Sequence, residues 1–315
     1  MNSPKLSCSP NLSWRPERDI ELIAGTPAGG GQDRPARVLI ELLKNAVDHP
    51  IALTNIAGGG NGWDYLATHR GDPHKLAINS PTILTNRLLG ESMLDYASLT
   101  PLATLYTEYL VFVVRPGGAI RDAHDLVVRL KADAGGIPIA FATAIGNMNH
   151  IALATITQGA GGNVRALKPA VFDSARYAVA HVVDGHAELG VITATSAVPE
   201  LTAGSLRAIA VSAPARMTAP FAEVPCWGEL GIDCVVGTWR GVIGAGNLSA
   251  AHIAFWEHAL VTAARTAEWR AELTRHHWVD TYMDAAQTRA FLAREQDAMA
   301  NALGALGLLS GKAGT

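Results

Sequence analysis

Short apolar runs and stretches of helical periodicity follow one another along this chain. Ile20–Ala24 reads as a strand that ends in the loop Gly25-Thr26-Pro27-Ala28-Gly29-Gly30-Gly31-Gln32. The helix after it takes Asp33 as its N-cap and Pro35 in its first turn, where a missing N–H costs nothing. Val38, Leu39, Leu42 and Leu43 mark its buried face. Residues 51–54 form a second strand, followed by Asn55-Ile56-Ala57-Gly58-Gly59-Gly60-Asn61-Gly62 and a short helix. Residues 76–79 form a third, ending at Ser80-Pro81-Thr82. Strand, glycine-rich loop and helix thus occur in that order twice, a βαβ pattern that predicts an α/β fold with a largely parallel sheet.

The alternation continues through the middle of the chain. Residues 109–114 read as a strand that closes at Arg115-Pro116-Gly117-Gly118, a place for the chain to change domain. Residues 137–142 are a strand, after which Thr143-Ala144-Ile145-Gly146-Asn147 opens a helix running through His150 and Leu153. Strands are also expected at 187–192, ending at Thr193, and at 206–211 and 235–243, the last returning the chain to the first domain. The final seventy or so residues read as helical. Ser249 caps a helix with Ile253, Trp256, Leu260 and Ala263 on one face. Asp284 with Gln287 forms a capping box before Leu292, Met299, Leu303 and Leu306.

Composition narrows the function classes. Of 315 residues, 49% are hydrophobic and 17% charged, enough apolar surface for a sizeable core and too much for a disordered chain. Lys+Arg 25 against Asp+Glu 28 leaves a net charge of −3, without the basic excess that nucleic-acid binding needs. Cys8, Cys226 and Cys234 are an odd number and suggest neither a disulfide framework nor a metal site. Residues 1–18 lack the apolar core of a secretory signal or a lipoprotein anchor, and no uninterrupted apolar run of about eighteen residues offers a membrane span. The chain as written is expected to be soluble.

Motifs for catalysis and cofactors are missing. The sequence has no G-x-x-x-x-G-K-[ST], no G-x-S-x-G, no G-x-G-x-x-G, no H-E-x-x-H and no cysteine pair at zinc spacing. No cofactor and no metal are therefore expected. The adjacent His276 and His277 point about 100° apart on a helix, so a shared metal is disfavoured and a solvated helix end expected. What remains are the glycine triplets at 29–31 and 58–60, each between a strand and a helix N-terminus. Such loops expose backbone N–H groups and add the positive end of a helix dipole, which suits an anion, most simply a carboxylate.

Residues 23–37, Ile-Ala-Gly-Thr-Pro-Ala-Gly-Gly-Gly-Gln-Asp-Arg-Pro-Ala-Arg, resemble the opening motif of the Bug/TctC proteins, the solute receptors of tripartite tricarboxylate transporters. Asn55 to Gly62 is similar to that family's second ligand loop. Leu206-Arg207-Ala208-Ile209-Ala210-Val211 with Arg216 and Val224-Pro225, and then Trp239-Arg240-Gly241-Val242-Ile243, follow in the family's order. The resemblance covers roughly residues 18–309. It implies a two-domain periplasmic-binding-protein fold of type II: an N-terminal extension at 1–17, a first domain of 18–114 plus 241–315, and a second of 115–240. A small organic acid would sit in the cleft between the domains, largely on backbone amides and ordered waters. Carried over by residue, the ligand positions are Thr26, Ala28, Gly29, Gly30, Gln32 and Asp33, then Ala57, Gly60 and Asn61. Ser80 and Thr82 follow the third strand, and Thr143, Gly146, Asn147 and His150 face them from the second domain, with Phe172, Asp173 and Thr193 beside these. The resemblance further implies a monomer that is not an enzyme, has no nucleic-acid partner, and serves the membrane subunits of a transporter from the periplasm.

Two features depart from the family pattern. Gly25-Thr26 stands where Pro-Phe is usual, which alters the first wall of the pocket, and the chain as written has no export signal. The alternative reading is a cytoplasmic enzyme or ligand-sensing subunit on the same scaffold. As an enzyme it would use His150 as a general base oriented by Asp33.

Overall fold

The computed structural model describes residues 12–309 except Asn45 and Gly59. Cys8, residues 1–11 of the N-terminal extension, Gly59 of the second loop and the last six residues lie outside that set. Ten strands form one sheet in the order β2-β1-β3-β9-β4-β7-β5-β6, with β8 and β10 also paired to β4. The first group comprises β1 (Ile20–Ala24), β2 (Ile51–Asn55) and β3 (Lys75–Asn79). Between them lie helices α1 (Asp33–Leu43) and α2 (Asn61–Ala67), and α3 (Thr82–Leu89) follows. Strand β4 (Thr100–Val114) then leads through α4 (Ala123–Asp133) into β5 (Ile139–Ala142), α5 (Met148–Gly159), β6 (Ala170–Phe172) and α6 (Ala175–Val183). Next come β7 (Leu189–Thr193), α7 (Ala194–Ala203) and β8 (Arg207–Val211). The chain returns along β9 (Gly237–Gly244) and ends in α8 (Ala250–Ala264), α9 (Ala267–His276), β10 (Val279–Met283) and α10 (Ala285–Leu306).

The sheet is mixed rather than largely parallel. Strand β1 pairs in parallel with β2 and β3, and β5 with β6 and β7. Every pairing of β4, and that of β3 with β9, is antiparallel. The reason is β4, a 15-residue strand buried along its length except at half-buried Glu108. Its residues from Thr100 to Tyr109 pair with β9, and those from Leu110 to Val114 pair with β7 and β8. The apolar run at 109–114 is only the second half of this strand. Pro101, Thr104 and Thr107 hide the first half from a periodicity reading, although Thr104 and Thr107 are buried and hydrogen-bonded to Thr288 and Thr281.

The C-terminal segment is not wholly helical. Strand β10 separates α9 from α10 and pairs with β4. The expected caps are present: Ser249 Oγ accepts the His252 N–H at 3.3 Å, and Asp284 with Gln287 closes a reciprocal box. Helix α10 packs against α3, α5 and β4, so it touches both groups of strand–helix units. Trp239 in β9 anchors to it through Nε1, which donates to Glu295 Oε2 at 3.2 Å. Cys226 and Cys234 are both free and buried.

Candidate ligand-binding cleft

The loop between β1 and α1 is held by its own side chains. Gln32, not Asp33, occupies the N-cap position, and Asp33 is the first helical residue. The Asp33 carboxylate turns back and accepts from Gly29 N–H (2.9 Å), from Asn55 Nδ2 (3.0 Å) and from Arg37 through Nε (2.8 Å) and Nη2 (3.0 Å). The Arg37 guanidinium, foremost among these partners, holds its pKa down at about 2. Asn55 also donates to the Thr26 carbonyl at 2.9 Å, so one β2 side chain ties the loop to Asp33. Gln32 is buried; its Oε1 accepts the Gly25 N–H at 2.8 Å and its Nε2 donates to Ser80 Oγ at 3.3 Å. Thr26 Oγ1 accepts the Gln32 N–H at 3.3 Å.

The glycines serve this loop in specific ways. Gly29 sits at φ +80°, where a side chain is strained. A Cβ on Gly30 would lie 2.6 Å from Thr26 Cβ, and the Gly30 N–H is donated to the Pro27 carbonyl at 2.9 Å. In the second loop Gly58 is at φ +111°, and the Gly60 N–H is likewise donated locally, to the Gly58 carbonyl at 2.8 Å. The amides left over are others. Among the described residues, no acceptor takes the N–H of Thr26 or Gly31.

Across from this loop stands the connection from β5 to α5. Asn147 caps α5, with Oδ1 accepting the His150 N–H at 3.1 Å. Its Nδ2 donates to the Ala142 carbonyl (2.6 Å) and to Thr143 Oγ1 (2.8 Å), holding Thr143 at φ +80°. His150 is buried beside Phe141, and its Nδ1 accepts the Gly146 N–H at 3.1 Å. Burial pulls its pKa down to about 4, so the ring is neutral at physiological pH.

Between the loops lie two adjoining chambers of about 510 and 410 Å³, which share Gly31, Thr143, Asn149, Thr193 and Arg240 as walls. The larger is lined by Thr26, Gln32, Ser80 and Thr82 on one side and by Thr143, Asn147 and Asn149 on the other. The smaller is lined by Gly29, Gly30, Arg34, Tyr106 and Glu108, and by Thr193, Thr195 and Ser196. The carboxyl ends of β1, β3, β5 and β7 therefore open on one space, and α1, α3, α5 and α7 begin at its walls. Four positive dipole ends converge there.

Of the positions carried over from the sequence, Thr26, Gly29, Gly30, Gln32, Ser80, Thr82, Thr143, Asn147 and Thr193 line these chambers. Ala28, Asp33, Ala57, Gly60, Asn61, Gly146, His150, Phe172 and Asp173 do not. Asp33, Gly146 and His150 stand behind the walls and brace them through the bonds described above. Asn149, Glu108, Thr195 and Arg240 are walls that the sequence reading did not select. Asn149 Nδ2 donates to the Val191 carbonyl at 2.6 Å, and Glu108 Oε1 accepts the Thr195 N–H at 3.3 Å. Only Arg240 carried a signal, as part of the Trp239-Arg240-Gly241 segment.

Residues 36–308 match the model of the tripartite tricarboxylate transporter family receptor, TctC. The chain belongs to this family. It is 27% identical over 242 residues to protein BugT of Bordetella pertussis, covering 72% of this chain and 71% of that protein. A TctC solute-binding protein from Polaromonas superposes with a TM-score of 0.77 at 22% identity, covering 92% of this chain and 99% of the other. An adipate-bound protein of R. palustris also gives 0.77, at 17% identity over 93% of this chain and 98% of that one. The fold is thus the mixed α/β, periplasmic-binding-protein-like fold of the TctC/Bug receptors, which are non-enzymatic solute-binding proteins. This sets aside the reading of His150 and Asp33 as a base and its orienting carboxylate. Among the described residues of this TctC receptor, no cluster of three His, Cys, Asp or Glu is placed to hold a metal. None of its described helices is long and apolar enough to cross a membrane.

Proposed function

We propose that this TctC-family receptor captures a small organic acid in the cleft and delivers it to the membrane subunits of a tripartite tricarboxylate-type transporter, working in the periplasm. The observation that carries the reading is the pair of undonated amides, Thr26 and Gly31, in a braced loop opposite the N-terminus of α5. A carboxylate there meets N–H donors that are already oriented, so little ordering cost is charged against binding. Gln32, Ser80, Thr82 and Thr143 add neutral donors around it. Neutral donors and dipole ends favour an anion in this chamber, whose charged walls are half-buried Arg240 and exposed Glu91. The adipate-bound relative supports the ligand class.

On this reading, residues 18–114 with 241–315 form one lobe and 115–240 the other, and Gly29, Ala28, Ala57, Gly60, Asn61, Phe172 and Asp173 shape the loops that close on the acid. Native mass spectrometry of the purified protein tests it, with titration calorimetry against mono-, di- and tricarboxylates. A retained acid, or binding of one class in the micromolar range or tighter, is expected. Binding of no carboxylate, with capture of a neutral or cationic solute instead, overturns the reading.

A further inference from the structure

Arg240, in β9, borders both chambers and is half-buried. Its Nε donates to the Gly31 carbonyl at 3.3 Å and its Nη1 to the Trp239 carbonyl at 2.9 Å. Those bonds set the plane of the guanidinium and leave Nη2 with no acceptor among the described residues. Gly31 permits the close approach, since a Cβ there would lie 3.3 Å from Nη2. No described carboxylate forms an ion pair with Arg240. The carboxylates among the wall residues are engaged or solvated: Glu108 accepts the Thr195 N–H at the start of α7, while Glu91, like Arg34, is an exposed wall residue. A half-buried guanidinium with no ion-paired carboxylate has given up part of its hydration without a charge partner in return. The planar fork is suited to one arriving from outside.

We infer that Arg240 is a specificity-determining residue that binds a second anionic group of the ligand, so that the receptor selects dicarboxylates over monocarboxylates. This rests on the reading above, in which the loop amides of the larger chamber take the first carboxylate. Nη2 then takes the second, at the wall that the chambers share. The Gly31 contact also gives Arg240 a positioning role, and the test separates the two.

Calorimetry on the wild type, Arg240→Gln and Arg240→Lys should compare succinate, glutarate and adipate with butyrate, pentanoate and hexanoate. Arg240→Gln is expected to weaken the best dicarboxylate about tenfold or more and the monocarboxylates by less than about twofold, with part of the loss recovered in Arg240→Lys. Equal weakening of both classes means that Arg240 only positions the Gly31 loop, and overturns the inference. Wild-type protein that binds both classes alike, or prefers monocarboxylates, overturns it while leaving the receptor reading intact. Binding of none of the six acids overturns the inference, and the wider carboxylate panel then decides the receptor reading separately.

Discussion

Asp33 and Arg37, one helical turn apart in α1, are joined by two hydrogen bonds, Nε to Oδ2 at 2.8 Å and Nη2 to Oδ1 at 3.0 Å. The same carboxylate holds the Gly29 amide and the Asn55 side chain, so a helix pair doubles as the brace of a binding loop.

That brace should titrate. The folded pKa of Asp33 is depressed to about 2 from the ordinary 3.8. Its contribution to stability is therefore present in full above the ordinary value and is lost as pH falls through about 2. Asp33→Asn should melt lower than wild type at pH 7, and the gap should close toward pH 2. Thermal melts across that range decide it. A gap that stays constant with pH would show that the charge contributes nothing.

His150 moves stability in a different window. Its pKa is lowered from 6.5 to about 4, so the unfolded chain takes up a proton that the folded protein refuses between those values. Stability should fall as pH drops from about 6.5 to 4, with no further loss from this residue below that. Urea midpoints at pH 7.5 and pH 5 should differ more for wild type than for His150→Gln. Equal differences would exclude His150 as the source.

Gly30 and Gly228 make a matched pair of alanine substitutions. A Cβ at Gly30 meets Thr26 Oγ1 at 2.6 Å and the Pro27 carbonyl at 2.9 Å, whereas at Gly228 it meets nothing within 4 Å. Gly30→Ala should cost about 1–3 kcal/mol and weaken carboxylate binding. Gly228→Ala should be neutral or stabilising by up to about 1 kcal/mol, through loss of freedom in the unfolded chain. Denaturant curves for the two variants would settle the ranking.

Asn147 both caps α5 and holds Thr143 at positive φ. Asn147→Ala should lose about 1 kcal/mol as a cap. Released from Asn147, Thr143 should relax out of the left-handed region and the facing wall should loosen, so acid binding falls more than stability alone explains. A variant with lowered melting temperature but unchanged affinity would confine Asn147 to the helix.

Closure of the proposed lobes would bend β4 and β9, the strands that run through the middle of the sheet. Small-angle scattering should show a smaller radius of gyration with saturating acid than without. An unchanged radius under saturation would mean that the cleft binds without closing.

Much of this molecule is written locally. The strands β1, β2 and β3, the glycine loops after β1 and β2, the Asn147 turn, and the caps at Ser249 and Asp284 were all readable. Each depends on residues within a few positions of one another: an apolar run, a glycine where φ turns positive, or a side-chain oxygen three residues from an amide. Such patterns carry their own physical reason and survive any arrangement of the rest. The family resemblance rests in part on the two glycine loops, together with the segments at 206–225 and 239–243.

What the chain alone did not disclose depends on partners distant in sequence. Strand β4 looks broken by Pro101, Thr104, Thr107 and Glu108 because burial of those threonines is satisfied by Thr281 and Thr288, far along the chain. The antiparallel centre of the sheet follows from β4 meeting β9, and no local period encodes that direction. Asp33 has the residue type and position of an N-cap, yet Arg37, Asn55 and Gly29 together outbid the helix end for its oxygens. Arg240 is an ordinary strand arginine until β9 lies beside β4 and sets its guanidinium against Gly31. Local chemistry determined the walls of the cleft, and only the long-range pairing of strands decided which charge stands between them.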